Sequence, residues 1–225
     1  MTLRGAVQAT LTHPSAVLLA VQLVGVLIYP VMDSSTPGRL AFETFGVLVL
    51  LLAVLSVRRS PGRTWVFVVL AAAAASLSIV DIFWPSPVLQ GVSASLHAIF
   101  YFWATVSLLR YMLADHRVTT DELFAVGATF TLVAWGFAYL YLLLQLLQPG
   151  CFIAAVHAAE PRTWTELLFL SFTTLSSTGL SDIVPVTAHA RSVVMLEQLA
   201  GLGYVGLVVS RLVALTTLRA TRGGR

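Results

Sequence analysis

Six stretches of the chain are apolar for long enough to be read as membrane spans, and polar or helix-breaking residues close them. A spanning helix needs ~20 such residues. The first run is Ser15 to Met32, ending around Pro30 and Asp33. The second is Leu40 to Val57, closed by Arg58 and Arg59. The third, Thr64 to Trp84, stops at Pro85 and Pro87, and the fourth is Val88 to Leu113. The fifth, Thr120 to Leu147, ends at Pro149-Gly150, and the sixth is Ala188 to Leu218. A signal peptide competes for the first run, because Arg4 precedes it. No small-x-small cleavage pattern follows, so it is read as a retained span.

Between the fifth and sixth runs lies an apolar segment too short to cross a bilayer, Trp164 to Leu175. It opens on Thr163-Trp164-Thr165-Glu166, a capping-box pattern that starts a helix. It closes on a small, hydroxyl-rich stretch from Thr173 to Asp182. A short helix followed by irregular polar chain predicts a re-entrant loop. Such backbone survives at membrane depth only inside protein or along a wet cavity. The fold class expected is an all-α membrane protein of six transmembrane helices, with a re-entrant helix and loop between helices five and six.

Composition agrees. Of 225 residues, 58% are hydrophobic and 10% charged, where soluble domains carry about 25% charged. The mean hydropathy is +0.89. These values exclude a large extramembrane catalytic or ligand-binding domain. All 13 basic residues are Arg, and they are scattered between apolar runs rather than gathered on one basic face. That argues against nucleic-acid binding. Cys151 is the only cysteine, so an intrachain disulfide is impossible. The five histidines show no metal-ligand spacing.

The arginines also orient the chain. With the N-terminus inside, Arg4, Arg58, Arg59, Arg63, Arg110, Arg117, Arg219, Arg222 and Arg225 are cytoplasmic, against Arg39, Arg162 and Arg191 outside. Arg211 lies in the inner part of the last span. This satisfies the positive-inside rule. A multi-pass protein of the cell membrane is expected, with both termini cytoplasmic, lipid as a partner, and the short helix entering from outside. Trp84, Trp164 and Tyr141 are candidate interface anchors.

The stretch Thr173-Thr174-Leu175-Ser176-Ser177-Thr178-Gly179-Leu180-Ser181-Asp182-Ile183-Val184-Pro185-Val186-Thr187 resembles the pore signature of the potassium-channel superfamily, T-T-x-G-Y-G-D followed by x-x-P. The match runs through Gly179, Asp182, Pro185 and Thr187. The sixth span from Met195 to Tyr204, His116 to Thr119 before the fifth span, and Gln148 to Phe152 after it are similar to those of small bacterial six-span ion channels. The resemblance covers roughly Arg110 to Leu215. It implies a pore domain over residues 115–225, with residues 1–114 as a four-helix, voltage-sensor-like scaffold. It also implies a potassium channel without cofactor that conducts K+, with Na+ as the alternative ion. Ser177, Thr178, Gly179, Leu180 and Ser181 take the selectivity-filter positions. Asp182 and Glu197 fall at the outer pore or in support of the filter. Gly201 is the candidate gating hinge, with close helix packing as the competing reading.

The residue types suit conduction on physical grounds. A cation leaving water needs oxygens, and backbone carbonyls around an axis supply them. One chain cannot surround an axis, so identical subunits in a homotetramer are expected. Departures from the family pattern are Ser177 for Thr, Thr178 for Val, Leu180 for Tyr and Ser181 for Gly. Leu180 lacks the phenol that anchors many family filters, and Ser181 stands where a glycine with left-handed backbone is expected. By this reading Ser181→Gly relieves strain. The outer filter is then expected to be softer, wider or differently folded. A non-conducting channel homologue, acting as a membrane binding or regulatory subunit, is the alternative function. An intramembrane enzyme using Ser177 or Ser181 with His189 or His157 lacks the G-x-S-x-G elbow. The fourth span carries Arg110 alone, with Asp81 and Glu43 as counter-charges that face no arginine ladder, so little voltage sensing is expected of it.

Overall fold

The computed structural model describes residues 13–32, 45–46, 48–49, 51–53, 64–114 and 119–223. In chain order the elements are α1 (Pro14–Met32), α2 (Thr64–Phe83), α3 (Pro87–Leu113), α4 (Thr120–Leu147), β1 (Phe152–Ala154), α5 (Trp164–Leu175), β2 (Ile183–Pro185) and α6 (Ala188–Gly223). Most of the expected second span, with Arg4, Arg39, Glu43, Arg58, Arg59, Arg63, His116, Arg117 and Arg225, lies outside the described residues.

Local chemistry sets the helix ends. Pro87 starts α3, where its missing N–H costs nothing. Thr119 caps α4 by accepting from the Glu122 amide at 3.2 Å, and Asp121 and Glu122 complement the positive end of the helix. Gly150, at φ 78, turns the chain out of α4. α4 and the short helix α5 occupy the ranges expected from the sequence, while α6 continues past Leu218 to Gly223. Among the described residues, the 65–83 part of α2, all of α3 and α4, and the 188–211 part of α6 are long and apolar enough to cross a membrane. The apolar part of α1 is shorter, over 14–28.

The molecule is mostly helical but not wholly so. β1 and β2 pair antiparallel, Phe152 opposite Pro185 and Ala154 opposite Ile183. The Val186 amide extends the ladder by donating to the Cys151 carbonyl at 2.9 Å. Segments this short carry no readable alternation.

α4 is the hub, packed by α1, α3, α5 and α6, with α2 stacked on the far side of α3. An aromatic layer fills the middle. His97 lies flat on Tyr139 at 4.5 Å, and Trp135 meets Tyr101 and Trp164 edge-on at 5.7 and 5.5 Å. Asp121 ties α1 to α4 by accepting from the Ser15 amide at 3.0 Å and its hydroxyl at 2.9 Å. Asp81, read above as a counter-charge, accepts instead from the Ser86 amide at 3.2 Å in the α2–α3 turn. Arg110 is exposed.

Candidate functional site

α5 is held at both ends. At its start both bonds of the capping box form: the Glu166 amide donates to Thr163 Oγ1 at 3.3 Å, and the Thr163 amide donates to Glu166 Oε2 at 2.6 Å. At its end the Ser177 amide donates to the Thr174 carbonyl and the Thr178 amide reaches back to Thr173, each at 3.0 Å. Those two bonds are the Schellman pattern, which places one residue after the C-cap in left-handed conformation. The C-cap is Ser176, and the left-handed residue is Ser177, at φ 59.

This overturns one expectation about the filter positions. Ser181 is not left-handed; among the described non-glycine residues only His157 and Ser177 have positive φ. Ser181 instead closes a tight turn. Its amide donates to the Gly179 carbonyl at 3.1 Å, and its hydroxyl accepts from the Ile183 amide at 3.1 Å, leading the chain into β2. Ser181→Gly therefore relieves no left-handed strain and removes a bond. The backbone burden sits at Ser177 because the short helix needs its cap there. Ser177→Gly should raise the thermal midpoint modestly. A left-handed L-residue costs about 1–2 kcal/mol, and the greater freedom of unfolded glycine returns roughly 0.5–1 kcal/mol of that. A thermal melt of the two proteins checks it.

Thr178 and Gly179 both donate their amides to the Thr173 carbonyl, at 3.0 and 3.1 Å, and the Thr178 hydroxyl joins them at 3.2 Å. The strip from Ser176 to Leu180 is exposed, Leu180 at 77%. Gly179 has φ 64, and nothing lies within 4 Å of a Cβ built on it. Within the chain the backbone, not crowding, requires glycine there. Asp182 is exposed and makes no side-chain hydrogen bond among the described residues.

Glu197 on α6 is fully buried. It accepts from the Tyr141 hydroxyl of α4 and contacts the Ser171 hydroxyl of α5 at hydrogen-bond distance. It thus joins three helices. Gly201, one helical turn further along α6, packs on the end of α5, where an added Cβ would stand 2.1 Å from the Leu175 carbonyl oxygen. α6 runs unbroken through it.

The sequence reading missed the residues that hold the approach to α5. Arg162 is buried, 4% exposed. Its guanidinium donates to the Glu160 carbonyl at 3.2 Å and pairs with Glu166 at 3.3 Å. Gln145 grips the Arg162 backbone twice, accepting from its amide at 2.8 Å and donating to its carbonyl at 2.9 Å. An Arg four residues before a capping-box Glu was the available signal. Where α4 ends and α6 begins, Gln148 bonds Thr187 at 3.1 Å and His189 at 3.2 Å, while Thr187 caps α6 through the Ala190 amide. Near the start of α4, Glu122 pairs with Arg211 of α6 at 3.2 Å. Burial pushes the Cys151 thiol up, which keeps it protonated and unreactive.

The order helix, short capped helix, exposed small-residue strip, helix agrees with comparison to known families. Residues 124–217 match a family described as ion channel, which spans somewhat under half of the chain. The match covers most of α4, all of α5, the strip and most of α6, and it supports the resemblance to the potassium-channel superfamily. It points to a channel and not to an enzyme. No curated protein and no solved structure matches the chain.

Proposed function

From residues 124–217, which are those of the ion-channel family, we propose that this protein is a cation channel of the potassium-channel type, working as a homotetramer with one pore on the fourfold axis. The observation that carries this reading is the strip from Ser176 to Leu180, capped onto α5 yet exposed. An exposed small-residue strip at membrane depth needs further chains around a wet axis. α6 supports the same assembly. Met195, Leu199, Leu202, Val205 and Val209 recur at helical spacing and are each more than half exposed, an apolar face suited to neighbouring subunits and lipid.

K+ is the permeant ion in this reading and Na+ the alternative. Ser177 to Ser181 form the filter, Asp182 draws cations to the mouth, and α5 turns its negative end toward the inner cavity. Residues 1–114 serve as the scaffold, and both termini are cytoplasmic in the cell membrane. The non-conducting regulatory homologue keeps support from the filter's departures: Leu180 in place of a Tyr, and a Ser181 hydroxyl spent on the Ile183 amide.

Potassium-loaded liposomes containing the purified chain should discharge on addition of a protonophore, and mass measurement in detergent should give four copies. A stable monomer sinks the tetrameric pore. A tetramer without flux of K+ or Na+ favours the non-conducting homologue.

A further inference from the structure

We propose that Glu197 is a neutral carboxylic acid that donates a hydrogen bond to Ser171, and that this donated hydrogen positions α5 for conduction. The conduction half of the proposal rests on the channel reading above; the placement of the proton does not.

The inference comes from counting hydrogens. Ser171 Oγ lies 2.8 Å from the Ala134 carbonyl oxygen of α4 and also at hydrogen-bond distance from Glu197 Oε1. A serine hydroxyl has one hydrogen, and a carbonyl has none to give. If Ser171 donates to Glu197, its contact with Ala134 becomes two oxygens facing each other without a hydrogen between them. If Ser171 donates to Ala134, the hydrogen between Ser171 and Glu197 must come from Glu197. The second arrangement satisfies each of these contacts. Tyr141 donates to Glu197 Oε2, Glu197 donates to Ser171, and Ser171 donates to Ala134. The chain of bonds runs from α4 through α6 and α5 and back to α4.

The surroundings agree. Glu197 is fully buried, and a buried carboxylate needs a counter-charge or a dense set of donors. Tyr141 is the titratable group facing it. The charged groups of the packed elements sit elsewhere: Glu166 at the start of α5 pairs with Arg162, and Glu122 near the start of α4 pairs with Arg211 of α6. Asp121 is engaged by Ser15, and His189 and Arg191 lie at the start of α6 on Gln148 and the Pro185 carbonyl. Among the described residues, none of these forms an ion pair with Glu197. Loss of the Glu197 proton leaves Ser171 with one hydrogen for two acceptors, and α5 loses a tie either to α4 or to α6.

Infrared spectroscopy of the full chain in liposomes tests the proton directly. At neutral pH the wild type should show the carbonyl stretch of a protonated carboxylic acid, absent from Glu197→Gln. Glutamine can repeat the pattern, its NH2 donating to Ser171 and its oxygen accepting from Tyr141. Glu197→Gln should therefore keep the wild-type thermal midpoint and potassium flux within about twofold. Wild-type flux should be lost reversibly as the buffer is made alkaline, whereas Glu197→Gln flux should persist over the same range. A structural brace alone would give no such difference in pH profile. The proposal is overturned if no acid band at neutral pH disappears in Glu197→Gln. It is also overturned if that variant melts like wild type but loses its flux. Wild-type protein without any flux sinks the channel reading instead, and the infrared band with the paired melts still decides where the proton lies.

Discussion

Gly201→Ala should cause the largest loss of any single methyl added to this protein, lowering the thermal midpoint and abolishing ion flux. Alanine is the better helix former by about 1 kcal/mol, so an isolated α6 would gain from the change. In the folded chain the new Cβ would stand 2.1 Å from the Leu175 carbonyl oxygen and 2.9 Å from its carbon. Those atoms are backbone and cannot turn aside. α6 must move off the end of α5, and the contacts of Glu197 with Ser171 and Tyr141 lie one turn away on the same face. Overpacking typically costs 1–3 kcal/mol, and a clash with backbone belongs at about the top of that range. Gly203 and Gly206 are the controls, since nothing lies within 4 Å of a Cβ at either. Alanine at those positions should leave the fold of the chain unharmed. Thermal melts and liposome flux of the three variants decide the matter. If Gly201→Ala folds as well as the other two and alters opening alone, a gating hinge explains Gly201 better than close packing does.

Arg162→Ala should be the second most damaging change, through the loop that delivers the chain to α5. It removes the donor to the Glu160 carbonyl and the partner of Glu166. The Arg162 side chain is 2% exposed but that of Glu166 is 37% exposed. Water can therefore take over at Glu166, and the ion pair itself is worth little. Most of the loss comes from the packing of the buried Arg162 stem and from its charged hydrogen bonds to the loop carbonyls, such a bond being worth about 1.5–3 kcal/mol before water replaces it. A total of roughly 2–4 kcal/mol is expected. Arg162→Lys should rescue little of it, because a single ammonium cannot reproduce the planar fork that reaches several acceptors. Thermal melts of the two variants provide the check, and a lysine protein as stable as wild type would show that charge, not the fork, is what counts.

Much of the stretch from α4 to α6 was legible because its signals are local. Thr163 and Glu166 announce the start of α5 three residues apart, and Pro149-Gly150 announces the end of α4. The apolar runs from Thr120 and Ala188 are long enough to need no tertiary information. Gly179 was likewise identifiable as a motif position, and it carries left-handed backbone, at φ 64. The assignment of strain to Ser181 failed because it was taken from the family pattern position by position. The cap of a short helix claimed the left-handed residue four positions earlier, at Ser177.

The sequence by itself determined the spans of the described helices, the short capped helix between the last two, and the small hydroxyl-rich strip after it. These follow from the length of apolar runs and from caps that act over three or four residues. Tertiary structure alone decided which polar side chains share the interior. Tyr141, Ser171 and Glu197 stand 30 and 26 residues apart in sequence and meet because α4, α5 and α6 converge there. Gln145 finds the Arg162 backbone, and Gly201 finds the Leu175 carbonyl, for the same reason. Hydrophobic periodicity says that a face is buried but not what lies against it. A buried polar group must find its partner in whatever the packing brings near.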